Sequence, residues 1–343
     1  MLTRKQFLRS ALAATAAAAL PRAAVGWDFA PGLKDLGRGC YAWLAPNGGT
    51  GRTNAGMVTD GRASLLIDTL YDVAHTTEMV ETMRSLVPGA KNLRYVVNTH
   101  ADGDHNWGNQ VVRGAEIIGS KAMAGEFDNF KPAAMVEMVR NKDKLGPGTR
   151  LVAEELGSLF RFDDIVLTPP TRTFEDHLTL KLGRKEVRLV SVGPAHSQGD
   201  TLVHVPDAKI VYGGDILFIG VHPVVWSGPV ANWVKALDLM LGWDIEVAVP
   251  GHGPLTDKDG IRLLKNYFLL LQEEARKRYD RGLSYFEAAC DLPLGPYEDW
   301  IAAERVVYNV AQLYKEFGAP NPPTRQQVSD NVGRYANLRR RRS

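Results

Sequence analysis

Four side chains of the metal-binding type lie within one six-residue segment: His100, Asp102, Asp104 and His105. The segment directly follows residues 95–97, an apolar run that predicts a buried strand. Imidazoles and carboxylates are ligands that zinc, iron and manganese accept, and four of them left unpaired beside a core strand would be costly. Asp and Gly also favour solvated turns, so a polar turn is the alternative. The density of ligands favours a metal site.

Three later residues share similar surroundings, because each follows an apolar, β-branched stretch and lies near glycines. They are His196, Asp215 and His252, after strands predicted over residues 187–192, 209–212 and 246–249. Glycine lets the backbone turn tightly at a strand end and approach a metal or substrate closely. Taken singly, each residue is more often a surface group than a ligand. Together with the first segment, they indicate one metal centre assembled from several strand ends.

From about Gly39 to about Pro254 the chain resembles the metallo-β-lactamase superfamily, with five motifs in the family's order. Asp68, at the end of residues 65–68, matches the first motif, an aspartate that supports the metal loop from behind. The resemblance implies an α+β fold, a four-layer αββα sandwich with the metal site at one edge. Residues beyond 255 would add a helical C-terminal extension.

The resemblance also implies two divalent metal ions, with zinc expected. The ligands then divide into a first-site set, a second-site set and a bridging residue: His100, Asp102 and His196; Asp104, His105 and His252; and Asp215. Asp104 and Asp215 are the residues expected to act in catalysis.

Asp102 is the departure from the family pattern, because most members have His at this position. A carboxylate adds one negative charge and a harder ligand to the first site, which makes iron or manganese the alternatives to zinc. In this respect the chain is similar to the iron-containing branch of the superfamily, where flavodiiron proteins and some diiron oxygenases have Glu. Asp is one methylene shorter than Glu, so its carboxylate reaches less far toward a metal.

The implied function is that of a metal-dependent hydrolase. A hydroxide shared by two ions forms near neutral pH and would attack an ester, lactone, thioester or amide through a tetrahedral intermediate. Asp102 motivates a second hypothesis, an iron-dependent oxidoreductase or oxygenase on the same fold. A third is a non-catalytic metal-binding protein. The bond cleaved is not given by these residues, since function resides in the pocket rather than in the fold.

Composition is that of an ordinary globular protein: 343 residues, 45% hydrophobic and 23% charged. The chain has 41 basic and 39 acidic residues, and four of the bases lie within residues 1–26. Without that segment 37 bases face 39 acids, which gives no argument for binding nucleic acid or an anionic membrane. The expected partner is a small-molecule substrate. The sequence carries no indication of oligomeric state.

Residues 1–26 read as an export signal, with a basic start, an apolar run over 11–20 and small residues before 26. Residues 3–9 resemble a twin-arginine signal in which Lys5 replaces the second arginine. We therefore expect a periplasmic or secreted protein. Stable membrane insertion after cleavage is not expected, because no other stretch approaches about 20 apolar residues.

The remaining chain is predicted to contain a catalytic domain over 27–255, C-terminal helices over 256–320 and a tail over 321–343. A helical insert occupies about 122–158 and is broken by the Gly-Pro-Gly at 146–148. Such an insert either contributes to the substrate pocket or only packs against the domain.

An apolar loop over residues 216–229 leaves directly from Asp215 and is the best candidate for a wall of the substrate pocket. Within it, His222 and Trp226 are candidate pocket residues, as is Trp107 after the metal loop. The alternatives are a hydrogen-bonded loop histidine for His222 and a core residue for Trp107. Two cysteines are too few for a disulfide framework. Cys40 and Cys290 are either one disulfide or two separate thiols.

Overall fold

The computed structural model describes residues 30–341. The predicted export signal, residues 1–26, lies outside the described residues. The described part of the chain forms twelve strands: β1 (Gly32–Asp35), β2 (Cys40–Leu44), β3 (Ala55–Thr59), β4 (Ser64–Ile67), β5 (Leu93–Val97), β6 (Glu116–Ser120), β7 (Arg172–Phe174), β8 (His177–Leu182), β9 (Lys185–Ser191), β10 (Thr201–Val205), β11 (Ile210–Tyr212) and β12 (Val247–Val249).

Ten α-helices accompany the strands in the same part of the chain: α1 (Val73–Leu86), α2 (Gly103–Asn106), α3 (Lys121–Glu126), α4 (Pro132–Arg140), α5 (Pro147–Leu159), α6 (Val230–Gly242), α7 (Lys258–Asp280), α8 (Tyr285–Asp291), α9 (Val306–Glu316) and α10 (Arg325–Arg340). The spacing of apolar residues over 73–86 predicts an amphipathic helix, and α1 has these bounds. The side chain of Asp72 caps this helix by accepting a hydrogen bond from the backbone N–H of His75.

The strands form two mixed sheets. In the seven-stranded sheet, β1 to β7 lie side by side in chain order, antiparallel up to β4 and parallel from β4 onward. The five-stranded sheet has the order β12-β11-β10-β9-β8, and only β11 and β12 are parallel. Parallel neighbours need a crossover, which α1 supplies between β4 and β5 and α6 supplies between β11 and β12.

Successive side chains along a buried strand point into different layers of the core. In β4, Leu65 and Ile67 point into the core between the sheets, whereas Leu66 points to the outer layer that contains α1. In β11, Tyr212 joins the inter-sheet core and Val211 packs toward the outer layer that contains α6 and α7. Successive strand side chains face opposite sides, so each sheet buries both faces. The predicted four-layer αββα sandwich is confirmed.

The predicted helical insert is present as α3, α4 and α5. Gly146 precedes α5, and Pro147 is its first residue, where the missing N–H of proline costs nothing. The insert has its own small core, in which Met135 and Leu156 pack against Tyr71 and Trp107 of the main domain. The insert therefore packs next to the loop that carries the predicted ligands.

The prediction that regular structure ends in a tail from residue 321 is wrong. Thr324 and Gln327 form a capping box that starts α10, and Val328, Val332 and Tyr335 of this helix are buried. The last helix is rich in arginine and has few apolar residues, so its periodicity is weak. The Thr-x-x-Gln spacing was the available signal.

Helix α6 was not predicted, because it starts after Pro229 without a capping side chain and its apolar residues continue those of the preceding loop. Cys40 lies in the inter-sheet core and Cys290 packs on the outer helical layer, so the two are not joined by a disulfide. Over residues 30–341, no helix is both long and apolar enough to cross a membrane.

Candidate metal centre

The seven predicted ligands meet at one edge of the sandwich. The six-residue segment follows β5, and the other three ligands follow β9, β11 and β12. Their ligand atoms form three overlapping groups, each within 4.8 Å: His100, His105 and Asp215; His100, Asp102 and His196; and Asp104, His105 and His252. Residues far apart in the chain are thus brought together by the carboxyl ends of strands from both sheets.

Asp215 lies at the centre of the cluster. Its Oδ1 is 3.1 Å from Nε2 of His105, and its Oδ2 is 3.3 Å from Nε2 of His196 and 3.4 Å from Nε2 of His252. Nε2 of His100 is 3.7 Å from the same Oδ2. One carboxylate therefore faces four imidazoles, the geometry expected of a residue shared by two metal positions.

Asp68 holds two of these imidazoles from behind. Its Oδ2 is 2.9 Å from Nδ1 of His105 and also accepts a hydrogen bond from Oγ1 of Thr99 at 2.8 Å. That hydroxyl in turn lies 3.0 Å from Nδ1 of His100. With Nδ1 protonated on both rings, both Nε2 atoms present lone pairs to the centre, as metal-binding histidines require. Asp68 thus occupies the supporting position that the sequence indicated.

The other two imidazoles are oriented by backbone carbonyls. Nδ1 of His196 donates to the carbonyl of Val224 at 2.7 Å, and Nδ1 of His252 donates to the carbonyl of Arg52 at 3.1 Å. Asp200 fixes the turn that carries His196 by accepting bonds from the backbone and hydroxyl of Ser197. Each histidine is therefore held in one tautomer and one orientation.

Tight backbone approaches make room for the cluster. A Cβ atom at Gly251 would lie 2.1 Å from Oδ1 of Asp215, so only glycine fits directly before His252. Asp68 itself has a positive φ of 59°, in the left-handed region that Asp tolerates better than most residues. The small residues beside the ligands are thus required by the geometry of the site.

Asp102 reaches the first group despite its short side chain. Its Oδ2 is 3.1 Å from Nε2 of His196 and 3.9 Å from Nε2 of His100. The Asp102 side chain is 38% exposed, compared with 15% for Asp104 and 4% for Asp215. It is therefore the most solvent-accessible carboxylate of the cluster.

Asp104 lies on the opposite side of the cluster, with His252. Its Oδ2 is 3.6 Å from Nε2 of His252 and 4.0 Å from Nε2 of His105. Oγ1 of Thr53 donates a 2.7 Å hydrogen bond to the same oxygen. Thr53 belongs to the glycine-rich loop between β2 and β3, which therefore closes over this side of the site.

The donor set fits divalent metal ions. Nε2 of His100 and Oδ1 of Asp215 are buried and have no aligned hydrogen-bond partner, a costly arrangement that bound cations would relieve. The site offers only nitrogen and oxygen donors, which suit zinc, iron and manganese. His100, Asp102 and His196 would hold one ion, Asp104, His105 and His252 the other, and Asp215 both.

The charges of the cluster depend on one another. Burial opposes ionisation of Asp215, but His252 and the other imidazoles hold the pKa of its carboxyl well below the usual value. Burial likewise opposes protonation of His196, but Asp215 and Asp102 raise its pKa to about 9. Metal ions compete with these protons, so binding should release protons and weaken as the pH falls.

The three predicted pocket residues are placed differently. Trp226 is 38% exposed, and its Nε1 donates a 3.0 Å hydrogen bond to Oδ2 of Asp102. Trp107 is 2% exposed and packs in the core of the insert, in contact with Tyr71 and stacked on Phe130. The prediction that Trp107 lines the pocket is therefore wrong. The large ring fills the space behind the metal loop instead.

The prediction of a pocket role for His222 is also wrong. The ring is fully buried among the C-terminal helices, where Nε2 donates to the carbonyl of Tyr297 at 3.1 Å and Nδ1 accepts from Tyr267 Oη at 3.0 Å. Both ring nitrogens are therefore engaged, and the ring is neutral. The apolar loop was predicted to form a wall of the pocket, but at His222 it faces the core.

We expect His222 to make the metal-free protein less stable in acid. Burial lowers its pKa from 6.5 to about 3, so between these values the unfolded chain binds a proton that the folded protein does not. The stabilisation is present above pH 6.5 and is lost as the pH falls. From pH 6.5 to 5, His222→Gln should remove about 2 kcal/mol of the pH dependence of the unfolding free energy. Urea unfolding of chelated protein measures it, and identical pH slopes for both proteins would contradict it.

Sequence reasoning missed several residues that position the ligands. Thr99 directly precedes His100 and Asp200 lies in the His196 motif, so both were visible beside known candidates. Thr53 carried no local signal. From the insert, Glu126 accepts a hydrogen bond from the backbone N–H of Gln198, and Glu155 pairs with Arg52 at 3.4 Å. The insert thus contacts the loops that surround the site.

Comparison with known proteins identifies the family of this chain. A family model described as the metallo-beta-lactamase superfamily matches residues 48–252. The acyl-coenzyme A thioesterase MBLAC2 of Homo sapiens is 24% identical over 253 residues, which cover 68% of this chain and 85% of the thioesterase. The 2,4-dinitroanisole O-demethylase subunit alpha of Nocardioides sp. (strain JS1661) is 30% identical over 90 residues, only 24% of this chain and 26% of that subunit.

Solved structures show the same fold at low sequence identity. The stereoselective inverting sec-alkylsulfatase Pisa1 from Pseudomonas sp. superposes with a TM-score of 0.64 at 14% identity, covering 86% of this chain. The matched part is 52% of the sulfatase, so this chain spans about half of that protein. A metallo-beta-lactamase from Pontibacter korlensis superposes with a TM-score of 0.50 at 17% identity, covering 69% of this chain and 98% of the lactamase.

Proposed function

This chain belongs to the metallo-beta-lactamase superfamily, and from that premise we propose that it is a metal-dependent hydrolase of a small molecule with a C=O group. The observation that carries the proposal is the single carboxylate of Asp215 facing four imidazoles, with Asp102 and Asp104 on either side. Zinc is the proposed metal. Two divalent ions held there would supply Lewis acidity, both to lower the pKa of water and to stabilise the developing oxyanion.

The chain's own residues would position the reactants. Asp104 is partly exposed, and Thr53 holds one of its oxygens in place. A carboxylate in this position can orient an attacking water and accept its proton. The exposed edge of the site lies at Asp102, whose 38% exposed carboxylate accepts a hydrogen bond from the indole of Trp226. Substrate would therefore approach from the side of Asp102 and Trp226.

Among substrates with a C=O group, thioesters are the first choice for testing. The thioesterase aligns over more than two thirds of both chains. Esters, lactones and amides share the same tetrahedral chemistry and complete the panel. We further propose, from residues 1–26, that the protein acts in the periplasm or after secretion.

The decisive experiment combines a substrate panel with one catalytic variant. Metal-loaded protein is assayed on acyl-coenzyme A thioesters, aryl esters, lactones and β-lactams. Asp104→Asn should reduce kcat/KM on the accepted substrate by about 10²- to 10⁴-fold, as expected for loss of a general base. Asp244→Asn is the matched control, because this exposed aspartate pairs with Lys209 at the start of β11, the opposite end of that strand from Asp215. Protein with two ions bound that cleaves no member of the panel would contradict the proposal.

Asp102 supports a second candidate, an iron-dependent oxidoreductase or oxygenase. Its carboxylate is close enough to join the first metal group, which gives that position a harder donor than the usual imidazole. Metal analysis of protein expressed without added zinc discriminates between the candidates. Two equivalents of zinc without iron would remove the reason for the second candidate, and bound iron would favour it.

A further inference from the structure

Among residues 30–341, the side-chain carboxylate of Asp102 accepts one hydrogen bond from outside the ligand set. Its Oδ2 accepts from Nε1 of Trp226 at 3.0 Å and faces Nε2 of His196 at 3.1 Å. Although Asp102 precedes α2, its side chain makes no capping bond there. A short and 38% exposed carboxylate could otherwise turn into solvent. The indole N–H is therefore the contact that holds it in the site.

Trp226 touches two of the proposed ligands at once. Its backbone N–H donates to the carbonyl of His196 at 3.0 Å, while its side chain donates to Asp102. The same residue thus sets the spacing between the turn after β9 and the loop after β5. A hydrogen bond to a carboxylate is charge-assisted and stronger than one between neutral groups.

The indole is itself held by the C-terminal helices. The ring of Tyr308 in α9 meets it edge-on, with centroids 5.1 Å apart. The guanidinium of Arg325, the first residue of α10, lies over its face at 5.0 Å from the centroid. Edge-to-face and cation–π contacts of this kind are attractive and restrain the position of the ring. A continuous path of contacts therefore runs from α10 to the metal position.

We propose that Trp226 is a positioning residue that holds Asp102 in the first metal position, and that α9 and α10 set the strength of this hold through Tyr308 and Arg325. The inference rests on the proposed function only in taking Asp102 as a metal ligand. This role of Trp226 is consistent with Asp at a position where related iron proteins have the longer Glu. The indole N–H fixes Oδ2 of Asp102, the oxygen that faces His196. Occupancy of the first position would then depend on the C-terminal helices.

The alternative is that Trp226 only forms a wall of the substrate pocket. Trp226→Phe separates the two roles, because phenylalanine keeps an aromatic ring beside Tyr308 and Arg325 but lacks the N–H. A wall residue would change KM without changing metal affinity. A positioning residue would change metal affinity in the absence of any substrate.

The test is titration of metal-free protein with Co²⁺, followed by its absorption spectrum, with bound metal counted by elemental analysis. Trp226→Phe should weaken one of the two Co²⁺ sites by about 10- to 100-fold, the usual effect of losing a group that supports a ligand, and leave the other unchanged. Arg325→Ala should weaken the same site by a smaller factor. Trp243→Phe is the matched control, since that tryptophan stacks on His204 outside the cluster.

A double mutant shows whether the indole acts through the carboxylate. In an Asp102→Asn background, Trp226→Phe should cause no further loss of Co²⁺ affinity. Unchanged affinity in the single Trp226→Phe variant would overturn the inference, as would an equal additional loss in the Asp102→Asn background. Wild-type protein that binds no Co²⁺ would instead contradict the proposed function, so the two failures are distinguishable.

Discussion

Asp215→Asn is expected to abolish stable binding at both metal positions and to reduce kcat/KM by about 10³-fold or more. The carboxylate faces imidazoles assigned to both positions, with oxygens between 3.1 and 3.7 Å from four of them. Asparagine preserves the shape but removes the negative charge that offsets two divalent cations. A loss of about 4 kcal/mol of transition-state stabilisation corresponds to about 10³-fold in rate.

The experiment measures bound metal and turnover on the same preparations. Asp244→Asn, an exposed aspartate paired with Lys209, controls for the chemical change itself. Circular dichroism verifies that the variant folds. An Asp215→Asn protein that retains two tightly bound ions would show that the carboxylate is not shared between the positions.

Removal of metal is expected to lower the melting temperature of the wild-type protein by more than about 10 °C. A ligand that binds only the folded state stabilises it by about 4 kcal/mol when its free concentration is about a thousandfold above Kd. For a chain of this length each kcal/mol shifts the midpoint by roughly 1.4 °C, so about 8 kcal/mol from two ions corresponds to roughly 11 °C. Two ions therefore account for the expected shift.

Calorimetry before and after chelation measures this effect, and restored metal should return the melting temperature to its original value. The Asp215→Asn variant provides the control, because a chelator should leave its melting temperature nearly unchanged. An equal shift in both proteins would mean that the chelator acts elsewhere, and no shift in the wild type would contradict a structural role for the ions.

The strands that carry the site were predictable because each contains a short apolar run that is followed by turn-forming or polar residues. Residues 64–68 and 93–98 had short apolar runs next to turn residues, and the structure has β4 and β5 there. Helix α1 was predicted with its bounds because its apolar positions recur at helical spacing, and the structure adds the capping side chain of Asp72. The His and Asp residues after these strands, and their order in the chain, then predicted one metal centre at the strand ends.

Other features could not be predicted because they depend on packing. His222 lay in the same apolar loop as Trp226, and the sequence could not distinguish the histidine that turns into the core from the tryptophan that turns toward the site. Nothing near Thr53 indicated that its hydroxyl would contact Asp104, since the two meet only after β3 pairs with β4. Partners distant along the chain are set by tertiary structure, which local patterns do not encode.

Because the metal ligands come from both sheets, bound metal is expected to affect the rate of unfolding. The centre is incomplete until β12 has joined β11 beyond the α6 crossover, so its contacts link segments from residue 100 to residue 252. Contacts of such long sequence separation form late in folding, and interactions absent from the transition state change the unfolding rate. Bound ions would therefore lower the unfolding rate and leave the refolding rate almost unchanged. The site would lengthen the lifetime of the native protein as well as carry its chemistry.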